Sequence, residues 1–198
     1  GYNSLANNTI GCNNVAIGCN ALYCSSSGSD NTAIGYGALK CNITGCANIA
    51  IGYQALNLNQ QGYGNVALGY QSMKCNCCGT NNIALGCLTL YCNLNGIGNI
   101  AIGYAALWKN TTGASSIAIG CAALACNSTG TQNIAIGMWA LCGNTVGNNN
   151  IAIGICSGCN ITTGVNNTVI GGLVAAAGCV CTVLIGAGAC ERIRVDNS

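Results

Sequence analysis

The chain has 198 residues, of which five are basic and three acidic, and it contains no Pro, Phe or His. A net charge of +2 gives no basic stripe for nucleic acid, and the missing imidazoles remove the commonest general base. With 51% hydrophobic residues the chain has apolar surface to bury, so it is not read as disordered.

The chain begins at Gly1 without Met and already in the register of a repeat, as a fragment or processed product would. From there, Ala-Ile-Gly or a close variant ends at Gly18 and recurs with a strict 17-residue period as far as Gly171. With that glycine as position 0, position 10 is Gly in all ten repeats and position 16 is Ile or Leu in all ten. Position 15 is Ala in nine, position 13 Asn in nine, and positions 4 and 7 are Leu and Asn in eight each. A period this short is not a helical-hairpin repeat. The β-branched Ile-x-Ile alternation at positions 14–16, bounded by Asn and Gly, predicts a strand. Two glycines per repeat predict two corners with positive φ. Each repeat is therefore expected to be one coil with two short strands. The predicted fold class is all-β, a parallel β-solenoid (β-roll or β-helix) of about eleven 17-residue coils. Residues 1–171 form the regular solenoid.

Stacked coils place each side chain on its equivalent, so columns become the unit of structure. Asn at positions 7 and 13 predicts side-chain amide ladders. Strand side chains alternate faces. Ile and Leu at positions 4, 14 and 16 are placed inside as apolar columns, position 16 giving a core column of Ile17, Ile34, Ile51, Leu68, Leu85, Ile102, Ile119, Ile136 and Ile153. Position 15 then points outward, as a stripe of Ala16, Ala33, Ala50, Ala67, Ala84, Ala101, Ala118, Ala135 and Ala152. Such a stripe predicts contact with another chain, in a homo-oligomer that is expected to be a trimer. At position 5, Tyr23, Lys40, Lys74, Tyr91 and Trp108 are outward bulky groups. The aromatic ones, Tyr23, Tyr91 and Trp108, are candidate surface contacts.

The 18 cysteines fall in the range of a disulfide scaffold. Cys19 with Cys24, Cys87 with Cys92 and Cys121 with Cys126 pair positions 1 and 6 of one coil, and Cys41 with Cys46 has the same five-residue separation. These are the candidate disulfides, within a coil or between chains; columns of small buried thiols are the alternative. Cys75-Asn76-Cys77-Cys78 and Cys179-Val180-Cys181 lack zinc spacing and a His partner, so no metal or cofactor is expected. With no positioned acid–base groups and no activating partner for a Cys nucleophile, the chain is expected not to be an enzyme. Asn-x-Ser/Thr sequons begin at Asn7, Asn42, Asn110, Asn127, Asn160 and Asn166, several at a corner from which glycans would project.

Residues 172–198 depart from the period. The stretch from Val169 to Cys190 carries no charge and is long enough to span a bilayer. The repeat pattern continues through it in Leu184-Ile185-Gly186, so it is read as terminal coils, and no membrane insertion is expected. Glu191, Arg192, Arg194 and Asp196 then make a charged cap or a junction to a further domain.

The run from Asn133 to Leu141, Asn-Ile-Ala-Ile-Gly-x-x-Ala-Leu, resembles the head repeats of trimeric autotransporter adhesins. The fuller run from Ala101 to Gly113 resembles repeats in phage and large-virus tail-fibre proteins. The resemblance implies a trimeric parallel β-roll or β-helix with an adhesive surface, outside the cell or on a virion, whose partner is a receptor or a glycan. The expected function is a structural or adhesive rod of a fibre or stalk. The alternative is a self-assembling extracellular filament whose coils stack end to end. Ice binding ranks below both, because a Thr-x-Thr array on successive coils is lacking; only Thr129-Gly130-Thr131 fits.

Overall fold

The computed structural model describes residues 1–187 and 190–195, with backbone alone for 187 and 190–195. There is no helix among the described residues. Ten three-residue strands, from β1 (Val15–Ile17) to β10 (Thr168–Ile170), recur at positions 14–16 of each coil. They pair in parallel with no slip in register: Ala16 faces Ala33, Ala50 faces Ala67, and Ala135 faces Ala152. The fold is the expected β-solenoid. The second strand is missing, and turns occupy the rest of each coil.

Those turns depend on backbone conformations that composition conceals. Positions 2, 4 and 12 adopt positive φ in coil after coil, although few of these residues are glycine. At position 4, Leu39 has φ 48°, Leu56 49° and Leu107 52°. A left-handed residue with a Cβ is disfavoured by about 1–2 kcal/mol. The compensation is partly visible in the ladder, where the Leu39 amide donates to the Ala55 carbonyl of the next coil at 3.0 Å. Glycine at position 0 does have positive φ, 136° at Gly52. Glycine at position 10 does not, contrary to expectation. It is required for room: a Cβ at Gly62 would collide with the Asn59 side chain and the Gly79 carbonyl.

The interior is thin, and this overturns the predicted sidedness of the strands. Across one coil the Ser72 hydroxyl at position 3 donates to the Ala84 carbonyl at position 15, at 3.2 Å. Walls this close leave room for one bulky column, and Leu at position 4 fills it. Ala at positions 3 and 15 completes the core; Ala33, Ala50, Ala84 and Ala101 are all fully buried. The predicted outward stripe is therefore the inner wall. The predicted core column faces out, with Ile17, Ile136 and Ile153 among the exposed side chains.

Two asparagine ladders run along the rod. At position 13, Asn65 Nδ2 donates to Asn48 Oδ1 at 3.1 Å and to the Gly79 carbonyl at 2.8 Å, and its backbone amide donates to Asn48 Oδ1 at 3.0 Å. At position 7, Asn93 Nδ2 donates to Asn76 Oδ1 at 2.7 Å, and Asn110 Nδ2 donates to Asn93 Oδ1 at 2.7 Å. Only three buried side-chain polar atoms among the described residues lack a partner: Asn8 Oδ1, Ser25 Oγ and Asn144 Oδ1. All three belong to the position-7 column, at its two interruptions, Ser25 and Ile161. An interrupted ladder strands the neighbour's oxygen, as buried polar groups otherwise find partners.

At the far end the period shortens. Strand β11 (Val183–Ala187) pairs with β10 in parallel, and Ile170 meets Ile185 where the regular spacing would bring Ala187. Strand β12 (Cys190–Val195) then turns back and pairs antiparallel to β11, with an irregularity between Ile185 and Gly186. The chain that follows the regular coils thus lies across the edge of the last one. Asp196, part of the expected charged cap, lies outside the described residues.

Candidate functional surface: the outward columns

Because the inward strand side chain is Ala in nine of the ten three-residue strands, the residues at positions 14 and 16 form two parallel outward columns, half-buried to exposed. Ile49, Ile83, Ile136 and Ile153 expose 37–40% of their surface, far more than an inner position would. The strand is about 10 Å wide and nine coil spacings are about 43 Å long. The face is thus about 430 Å², a size at which the largest apolar patch of a chain is often functional.

Beside it, position 1 carries an aromatic ladder. Tyr36, Tyr53 and Tyr70 stack with ring centroids 5.3 Å apart and planes within 12°. Cys87 ends this run. At position 5, Tyr23 and Tyr91 are half-buried and Trp108 is exposed. Lys74 Nζ lies 5.9 Å from the centre of the Tyr91 ring and Lys109 Nζ 5.7 Å from that of Trp108. These predicted contact residues share one column, and two of them, Tyr91 and Trp108, carry a cation over the ring.

Four of the position-6 cysteines meet in pairs along the axis. The candidate disulfide residues Cys19, Cys24, Cys41, Cys46, Cys87, Cys92, Cys121 and Cys126 are all free thiols. The thiol beside Cys41 is Cys24 of the preceding coil, and the one beside Cys92 is Cys75. Burial first, and then that neighbouring thiol, push Cys41 and Cys92 above the usual thiol pKa. Stacking thus brings Cys24 to Cys41 and Cys75 to Cys92, one full repeat apart, in line with the alternative of thiol columns. Among the described residues no three metal-ligating side chains cluster, and no helix is long and apolar enough to cross a membrane.

The ladders also revise the sequons. Asn42, Asn110 and Asn127 are fully buried, with their amides committed to the position-7 ladder. Only Asn7, Asn160 and Asn166 are exposed. Position 7 points inward, so the corner offers no glycan site there.

The chain matches no known protein family, no curated protein and no solved structure.

Proposed function

We propose that this chain is a rigid, non-catalytic rod, a segment of a viral or phage fibre or of a similar extracellular adhesive stalk. The observation that carries the reading is the long apolar face of Ile and Val columns along ten coils. A rod that works alone gains nothing from exposing it. One that assembles side by side gains about 25 cal/mol per Å² buried. The partner is therefore a second and third copy of the same chain, in the homotrimer implied by the sequence resemblance. This puts the interface on positions 14 and 16 instead of on the alanine stripe. The remaining outward columns, with Tyr23, Tyr91 and Trp108, supply the surface for a receptor or glycan.

Sedimentation equilibrium tests the assembly. A single species of three chains is expected, and Ile102→Lys together with Ile119→Lys should dissociate it into folded monomers. A wild-type chain that stays monomeric at micromolar concentration contradicts the reading. Electron microscopy tests the shape, with discrete rods expected and indefinite filaments contradicting it.

A further inference from the structure

Outside the terminal segment the chain has only three cationic side chains, Lys40, Lys74 and Lys109. All three stand beside cysteines of one column. Position 6 reads Cys24, Cys41, Leu58, Cys75, Cys92, Lys109, Cys126, so Leu58 and Lys109 divide it into two isolated thiol pairs. Lys40 and Lys74 immediately precede Cys41 and Cys75. The backbone fixes the stacking. The Cys24 amide donates to the Lys40 carbonyl at 2.8 Å, and the Cys75 amide to the Tyr91 carbonyl at 3.0 Å. This parallel ladder seats Cys24 over Cys41 and Cys75 over Cys92. Lys40 acts electrostatically on Cys41, and Lys109 on Cys92.

The spacing selects among the things two thiols can do. Side chains stacked in register repeat at about 4.8 Å. A disulfide needs sulfurs about 2.05 Å apart and Cβ atoms at about 3.5–4.5 Å, so although the coil spacing lies within its usual Cα range of about 4.4–6.8 Å, the stacked side chains would have to draw together to form one. Two metal–thiolate bonds of about 2.3 Å placed end to end span about 4.6 Å, which the coils supply without moving. Zinc is unsuited, since it takes four ligands in a tetrahedron. Soft thiolates with only two partners suit a monovalent ion of the copper(I) type. A cation held by two thiolates has a net charge of −1, and the adjacent ammonium balances it.

We propose that Cys24 with Cys41, and Cys75 with Cys92, each clamp one soft monovalent cation between neighbouring coils as a linear dithiolate. Each thiol gives its proton to solvent, two sulfur–metal bonds form, and no electrons are transferred. The pairs are thus axial staples that fasten one coil to the next.

The test uses the full, reduced chain loaded anaerobically with copper(I) in excess glutathione, a monothiol that strips singly held metal. Native mass spectrometry should show one retained ion fewer in Cys41→Ser, one fewer in Cys92→Ser and two fewer in the double variant. Cys12→Ser, at an exposed position stacked on Ser29, should lose none. Cys24→Ser examines the first pair from its other side should Cys41→Ser fold poorly. X-ray absorption of a variant retaining Cys24, Cys41, Cys75 and Cys92 as its only cysteines should show two sulfur neighbours per copper. Unchanged metal counts in Cys41→Ser and Cys92→Ser overturn the proposal. So does three-sulfur coordination, or a native Cys24–Cys41 disulfide in the isolated protein.

Discussion

The coil that starts at Gly154 breaks the repeat twice, and the two breaks explain each other. Position 4 is Gly158 where other coils have Leu or Met, and position 7 is Ile161 where most have Asn. A Cβ on Gly158 would lie 3.2 Å from Ile161 Cδ1 and 3.2 Å from Leu141 Cδ2. Ile161 is fully buried and fills the space that a position-4 Leu fills elsewhere. The exchange leaves Asn144 Oδ1 without a donor. Ile161→Asn alone should supply that donor, worth about 1 kcal/mol. It also opens a void whose loss of packing costs about 2–4 kcal/mol. Gly158→Leu alone should overpack the site by about 1–3 kcal/mol. Gly158 has φ 59°, close to the 48–53° of Leu elsewhere in this position, so the backbone accepts the change. Together the substitutions restore the consensus core and ladder, and the double variant should match or exceed the parent. The coupling between them should be about 3 kcal/mol, at the upper end for residues in contact. Urea unfolding of all four proteins measures the cycle, and hydrogen exchange at residues 151–170 localises it. Additive effects, with a double variant as unstable as the two singles combined, would refute the idea that one side chain replaced the other.

Three further outcomes follow from the same geometry. Asn93→Ala removes three side-chain hydrogen bonds and strands Asn76 Oδ1, so it should cost about 3 kcal/mol, whereas Asn95→Ala on the exposed surface should change urea stability by less than about 0.5 kcal/mol. Ala101→Leu, aimed into the thin core, should destabilise by at least about 2 kcal/mol. Ile102→Ala, on the opposite face, should leave a folded coil and act mainly on sedimentation. Gly62→Ala should be as damaging as a core substitution despite its ordinary φ, because its Cβ meets Asn59 and Gly79; thermal melting distinguishes this from the few tenths expected at an open position.

Much of this was legible in the residues. The period fixed the coil, the location of the strand and the amide ladders, since identical residues one repeat apart stack whatever the coil's outline. Its phase was not legible. Alternation places Ile49 and Ala50 on opposite faces without saying which is inner, and bulk suggested the wrong one. The deciding quantity was the width of the coil, set by the approach of position 3 to position 15. The second strand was misjudged because Leu39 and its equivalents adopt a left-handed conformation usually left to Gly or Asn. For the cysteines the spacing left both disulfides along the chain and thiol columns open, and in the fold Cys24 with Cys41 and Cys75 with Cys92 stand one period apart. The position-7 sequons were read as surface because Asn is usually exposed, but here amide stacks on amide inside the core.

The central claim is that each repeat advances the chain by one coil along a straight axis. Spin labels on unnatural amino acids at exposed Thr44, Thr112 and Val146, all position 9, measure it by pulsed electron paramagnetic resonance. The distance between Thr44 and Thr112, four coils apart, should be about 19 Å, and that between Thr44 and Val146, six coils apart, about 29 Å. Distances that do not grow in proportion to the number of coils would contradict the account.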